Sequence, residues 1–504
     1  MLIPLLGIVV SLIFLITFAY RGHSVLVVAP LAALIAVLFS WGPLLASYTQ
    51  VFMPALGNFV ISFFPLFIAG AVFGRLMTVS GHAEDLARLI PRLLGARQAI
   101  LATVLITALM TYGGISAWVI AFTIVPIAVP LFREANVSMR LMPAAIALGI
   151  FTFATAALPG SPQIHNAIPT RFFGTTVYAA PVLGVIGALV TFGLGYAWLR
   201  WRQGSMLRRG EGFTDISSGA LGLAGGGPAR TATGAADPEA AVGAAPAHPH
   251  PDTGVLARAD AAAAVPFGTA VRSGLLGLLP ILVVVVVNAL FVYVISPAMD
   301  ASYLQEERFG ATTLSAVLGV WSVTVALVAA IVVVFLLRPR RAGEYVKALS
   351  EGARNSVLPV FTTASEVGYG AVIASLAVFA VVRDGLFGVS SNPAVVGAIA
   401  TAAISGITGS SSGGLSITLS NFGEQLSQLA AQQGMSLELL HRVIAMASVS
   451  FDSLPHNGAI ITLLLVCGLT HRQAYKDIGV VTVLVPLVGV LVVLGLGTAV
   501  PGLV

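Results

Sequence analysis

The chain has 504 residues, of which 57% are hydrophobic and only 9% charged, with a net charge of +5 and a mean hydropathy of +0.97. Soluble domains carry roughly a quarter charged residues, so this composition excludes a water-soluble enzyme, and lipid must solvate most of the surface. The basic residues sit in short connections and one long loop, the pattern of membrane topology rather than of nucleic-acid binding.

Taken in chain order, the N-terminal MLIPLLGIVVSLIFLITFAY has no positive charge ahead of its apolar run and no small-residue cleavage site. It reads as a first spanning helix rather than a signal peptide. Apolar runs long enough to cross a bilayer follow near 24–40, 60–77, 142–168 and 176–199. Residues 203–271, rich in Ala, Gly and Pro, have too little apolar periodicity to order themselves and read as a flexible cytoplasmic linker. Further spans are expected near 273–296, 311–337, 356–382, 441–468 and 477–500. Two apolar stretches, 98–132 and 393–420, are interrupted by small polar residues. The single Cys467 lies in an apolar run and permits no intrachain disulfide.

The two halves resemble each other. PLFIAGAVFG (65–74) matches PVFTTASEVG (359–368), and GGISAWVIAF (113–122) matches GGLSITLSNF (413–422). HNAI at 165 pairs with HNGAI at 456, and PVLGVI at 181 with PLVGVL at 486. Four matches in one order imply a two-fold internal repeat. Charge sets their relative sense. Residues 41–60 contain no Lys or Arg, whereas 338–354 carry Arg338, Arg340, Arg341, Lys347 and Arg354; conversely 75–97 carry Arg75, Arg88, Arg92 and Arg97 against Arg383 alone near 383–392. Basic loops stay cytoplasmic, so the halves enter the membrane oppositely. The expected fold is an all-α integral membrane protein of two inverted repeats, 1–202 and 272–504. It has about 10 full transmembrane helices plus two re-entrant hairpins, or 12–14 hydrophobic segments, with both termini outside.

A small anion crossing lipid needs polar groups at mid-depth, and irregular backbone is tolerated there only where it lines a cavity. The sequence places such breaks in pairs. The first pair is Gly113, Gly114 and Ser116 with Ser410, Ser411, Ser412, Gly413, Gly414 and Ser416. Their glycines permit tight tips, and the helix that restarts after each tip offers N–H groups suited to a carboxylate. The second pair is 158–166, with Ser161, His165 and Asn166, and 450–458, with Ser453, His456 and Asn457. Small-residue helix packing is the competing reading for the tips. Asp452 and Glu366 are intramembrane acids without acidic counterparts in the first half. Such acids are costly to keep and read as carriers of a coupling proton. The competing readings are a helix cap for Asp452 and hydrogen bonding to Thr362 or Thr363 for Glu366.

At the Ser/Gly tip 409–416, the Asp-Ser-Leu-Pro-His-Asn break 452–457 and THRQAYKDIG (470–479), the sequence resembles the gluconate permease (GntP-type) family of the ion transporter superfamily. The resemblance implies proton symport of a small hydroxy-monocarboxylate, such as gluconate or 3-hydroxybutyrate, in the bacterial inner membrane, with an elevator-type motion and homodimers. The run PHNGAII lacks the second acid expected near this break in gluconate carriers, which points to a smaller, less hydroxylated acid. No cofactor, metal or nucleic acid is expected; the coupling ion is H+, with Na+ the alternative. The rival reading is a sodium-coupled di- or tricarboxylate (citrate-type) carrier, against which the scarcity of mid-membrane Arg and Lys argues. An anion channel or intramembrane hydrolase stands further off, since neither a Gly-x-Ser-x-Gly elbow nor His-Glu-x-x-His occurs.

Overall fold

The computed structural model describes residues 2–21, 23–115, 117–214 and 267–504, and among these the chain is all-helical. The first half runs α1 (Leu2–Tyr20), α2 (Val25–Phe39), α3 (Leu44–Val79), α4 (His82–Leu94), α5 (Ala99–Tyr112), α6 (Ala117–Glu134), α7 (Met142–Ile150), α8 (Ile164–Phe173) and α9 (Pro181–Arg208). The second runs α10 (Phe267–Leu290), α11 (Leu314–Leu337), α12 (Ala342–Ser375), α13 (Phe379–Phe387), α14 (Pro393–Thr408), α15 (Ser411–Gln432), α16 (Leu437–Ser448), α17 (Gly458–Val466) and α18 (His471–Ala499). Among the described residues, 7 helices are long and apolar enough to cross a membrane, and four shorter apolar helices join them, among them α5 and α14. The protein is an all-α, multi-pass membrane protein.

Several boundaries differ from expectation. The stretch read as linker, 203–271, is helical at both ends, because α9 continues to Arg208 and α10 begins at Phe267. Most of the rest, 215–266, lies outside the described residues. The short helices α4 and α13 follow the long α3 and α12. α4 is amphipathic, with Glu84 and Asp85 in its first turn and Arg92 in its last, charges that suit the helix dipole.

The two longest spans, α3 and α12, lie side by side. Their close approach depends on Gly352, where a Cβ would fall 2.6 Å from the Val72 backbone. Arg75 pairs with Glu351 across this seam at 2.6 Å. Each half braces the other: α2 lies against α12 and α11 against α3, α8 against α15 and α17 against α6, and α9 against α18.

Local chemistry fixes the interruptions. α14 ends at Gly409, whose φ of +65° favours glycine. α15 starts at once, its N-cap Ser410 accepting from Gly413 N at 3.1 Å. α7 and α8 are separated by 151–163, where Pro159 and Pro162 remove donors and Gly160 (φ +75°) turns the chain. α16 and α17 are separated by 449–457, and Asn457 caps the restart by accepting from Ala459 N (2.7 Å) and Ile460 N (3.0 Å).

Candidate functional site

The tip between α14 and α15 gathers side chains from three other segments. Ser410 faces the carboxyl of Glu366 on α12. Ser411 Oγ lies 2.7 Å from His165 Nε2, at the start of α8. The same Ser411 neighbours the carboxyl of Asp452, whose Oδ1 accepts from Ser453 Oγ at 2.9 Å. Two consecutive serines therefore stand between one residue of the first half and two acids of the second. Glu366, Asp452 and His165 are all buried, with 2%, 4% and 8% of their surface exposed, so whatever compensates their polarity must come from within the membrane interior. Ser412 lies 3.4 Å from Thr363 Oγ1; the neighbour of Glu366 itself is Ser410 rather than Thr362 or Thr363.

The glycines of this tip are required by close approach. A Cβ at Gly413 would meet Glu366 Oε2, one at Gly414 would meet Ser405, and one at Gly409 would meet the His456 ring. Several buried side-chain polar atoms here have no hydrogen-bond partner: Glu366 Oε2, His165 Nδ1, Ser405 Oγ, Ser416 Oγ and His456 Nε2. Buried polar atoms of this kind are ordinarily satisfied, so these five are acceptors and donors that the protein's own side chains leave open at the tip.

Other residues of the sequence reading serve the breaks themselves. Asn457 Nδ2 donates to Gly409 O and Asp452 O, both at 2.9 Å, tying tip to break; Asn457, not Asp452, is the helix cap. Ser161 Oγ donates to Ala154 O at 2.9 Å, and Asn166 Nδ2 donates to Leu158 O and Ser161 O. Gly113 and Gly114 (φ +87°) form a tight turn packed against Ile281, Leu327 and Pro162, neighbours that the 409–416 tip does not share. Ser116 lies outside the described residues.

Comparison with known proteins then places the chain. It is 38% identical over 472 residues to an uncharacterized transporter, YxjC, of Bacillus subtilis (strain 168), covering 92% of this chain and 93% of that one. This chain belongs to that transporter family. No family model matches it.

Two basic residues of this transporter escaped the sequence reading. Arg442 on α16 is fully buried. Its guanidinium donates to Ala156 O and Asn166 Oδ1 (both 2.7 Å), to Ala179 O (2.7 and 3.1 Å) and to Val177 O (3.5 Å). It staples the first half's break from the second half and leaves none of its donors for a substrate. Its position inside an apolar window, 441–468, was the available signal. Arg171, in the last turn of α8, donates to Ser62 on α3. It lines a cavity of about 320 Å³ shared by α3, α8, α12 and α15.

Proposed function

We propose that the protein is a proton-coupled symporter of a small organic anion, a hydroxy-monocarboxylate of the size of 3-hydroxybutyrate, in a bacterial inner membrane. The observation that carries this reading is the joining of Glu366, Asp452 and His165 on Ser410 and Ser411. Two buried acids that share a tip with a histidine can exchange a proton as the tip changes partners, and a proton taken up there neutralises a charge that would otherwise resist movement through lipid. The relationship to a transporter supports carriage over intramembrane catalysis.

The matching succession of helices in each half among the described residues, with mutual bracing across the interface, supports inverted repeats of the gluconate permease kind. In that arrangement α5–α6 and α14–α15 are re-entrant hairpins, 75–97 and 338–354 face the cytoplasm, and 174–180 and 297–313 face outside.

The test is uptake of a panel of radiolabelled mono-, di- and tricarboxylates into proteoliposomes under an imposed pH gradient, in sodium and with sodium replaced by choline. Uptake driven by the gradient without sodium, and loss of that drive in Glu366→Gln with exchange retained, supports the proposal. Gradient-independent, sodium-dependent uptake of di- or tricarboxylates refutes it in favour of a citrate-type carrier.

A further inference from the structure

The cavity at Arg171 makes sense of a cation that topology disfavours. α8 and α15 run side by side from their shared start, with His165 beside Ser411 at one end and Phe172 against Gly423 further along. Arg171 lies six residues beyond His165, and Ser416 and Ser420 lie five and nine beyond Ser411, about 9 Å, 8 Å and 14 Å along their helices. The cavity therefore follows the α8–α15 seam away from the Glu366–Ser410–Ser411–Asp452 cluster. Its remaining wall is Asn58, Phe59 and Phe63 of α3 and Val367 and Ala371 of α12. Val367 directly follows Glu366 in sequence.

Polarity is graded along this path. Asn58, Arg171 and Ser420 are exposed, whereas Ser416 is 2% exposed and its hydroxyl has no partner. Arg171 meets no carboxylate among the described residues. Arg171 stands in the last turn of α8, beyond the apolar run 142–168, and a guanidinium presents a fork matched to a carboxylate. Under the topology proposed above, α8 and α15 both run from mid-depth toward the outside, where basic residues are depleted.

We infer that this cavity is an outward-facing vestibule in which Arg171 captures the carboxylate of the incoming anion, with Ser416 and Ser420 reading a hydroxyl and Phe59, Phe63 and Phe172 covering a short apolar carbon chain. Arg171 is then a substrate-binding and specificity-determining residue one step outward from the proton-bearing cluster. The inference rests on the transport reading for its ligand and on the inverted topology for its direction.

Ser420→Cys in a Cys467→Ser background, in right-side-out vesicles, tests the vestibule without needing a substrate. The expected result is modification by impermeant thiosulfonates added outside. An anionic reagent should be favoured over a cationic one, and that preference should fall by about 5- to 10-fold when Arg171→Gln is added, the scale of local electrostatic focusing. Asn58→Cys, at the mouth, gives a second reporter should Ser420→Cys fail to fold. A site unreactive from outside, or a preference that ignores Arg171, overturns the vestibule.

The transport arm uses labelled 3-hydroxybutyrate. Arg171→Gln should raise KM about tenfold or more with Vmax within about threefold, as loss of a charge-assisted bond requires, and Arg171→Lys should recover part of it. An unchanged KM overturns the capture role. Correct labelling without uptake of any monocarboxylate leaves the anion-selective vestibule standing and refutes the substrate assignment above.

Discussion

Gly413→Ala perturbs the tip by one methyl group at the point where it touches Glu366. The new Cβ would lie 1.8 Å from Glu366 Oε2, 2.8 Å from its Cδ and 2.9 Å from Ser410 Oγ. Side-chain contacts of this kind essentially never fall below 3.0 Å, so the carboxyl oxygen must withdraw by about 1.2 Å. Glu366 sits mid-helix and is 2% exposed, which leaves little room for withdrawal. Overpacking of this size costs about 1–3 kcal/mol. Displacing the carboxyl from its place at the tip should lower coupled transport by about 10-fold, the rate equivalent of about 1.4 kcal/mol. The assay is a double-mutant cycle read by thermal unfolding in detergent. Gly413→Ala should destabilise the protein, and on a Glu366→Ala background it should cost close to nothing, giving a coupling energy of about 1–2 kcal/mol. Gly343→Ala, at a helical position with open space around it, should be neutral or slightly stabilising. Additive effects at Gly413 and Glu366 would show that the carboxyl does not occupy the space that glycine leaves.

Three further outcomes follow from groups outside the tip. Arg442→Met should destabilise by about 3–5 kcal/mol, the scale for breaking a buried charged network, because it strands the Ala156 and Ala179 carbonyls and Asn166 Oδ1; thermal unfolding within 1 °C of the parent would refute the staple. Asp477 accepts from Arg202 at 2.7 Å and from Trp198 Nε1 at 3.0 Å in a buried pair, so Asp477→Asn alone should cost about 3–5 kcal/mol while Arg202→Met with Asp477→Leu recovers most of it; a double variant no more stable than the single would contradict this. His82, on the short helix outside the spans, is held down to about 4 by burial and then by Arg338, with Asp85 opposing. A base whose folded pKa lies below its unfolded value of 6.5 contributes stability that is present above pH 6.5 and is lost as pH falls from 6.5 toward 4. The unfolding temperature should drop across that window in the parent and drop less in His82→Gln, and identical pH profiles would remove His82 as a cause.

The breaks were legible because proline and glycine act locally: Pro159, Gly160 and Pro162 interrupt a helix whatever surrounds them, and Gly409 with Ser410 ends one helix and caps the next. The cap role of Asn457 is equally local, an Asn directly before an apolar run that accepts from Ala459 N and Ile460 N, whereas its bond to Gly409 O, 48 positions away, is made only by folding. Ser161 and Asn166 stood in the same stretch as His165, and nothing in their order in the chain separates the hydroxyl that donates to Ala154 from the imidazole that meets Ser411.

Composition and periodicity alone determined that this chain lives in lipid, that it is all-helical, and that its helices break at paired places, since each of these depends on neighbours within a turn or two. Which polar groups meet was decided by tertiary structure. His165 and Ser411 are 246 positions apart, and Arg442 reaches the first half's carbonyls across more than 260. Arg442 falls inside an apolar run, 441–468, and Arg171 just beyond one, 142–168. Only the packing of α8 and α16 against their neighbours turns one into a saturated internal brace and leaves the other facing a cavity, because a guanidinium's role depends on which acceptors surround it.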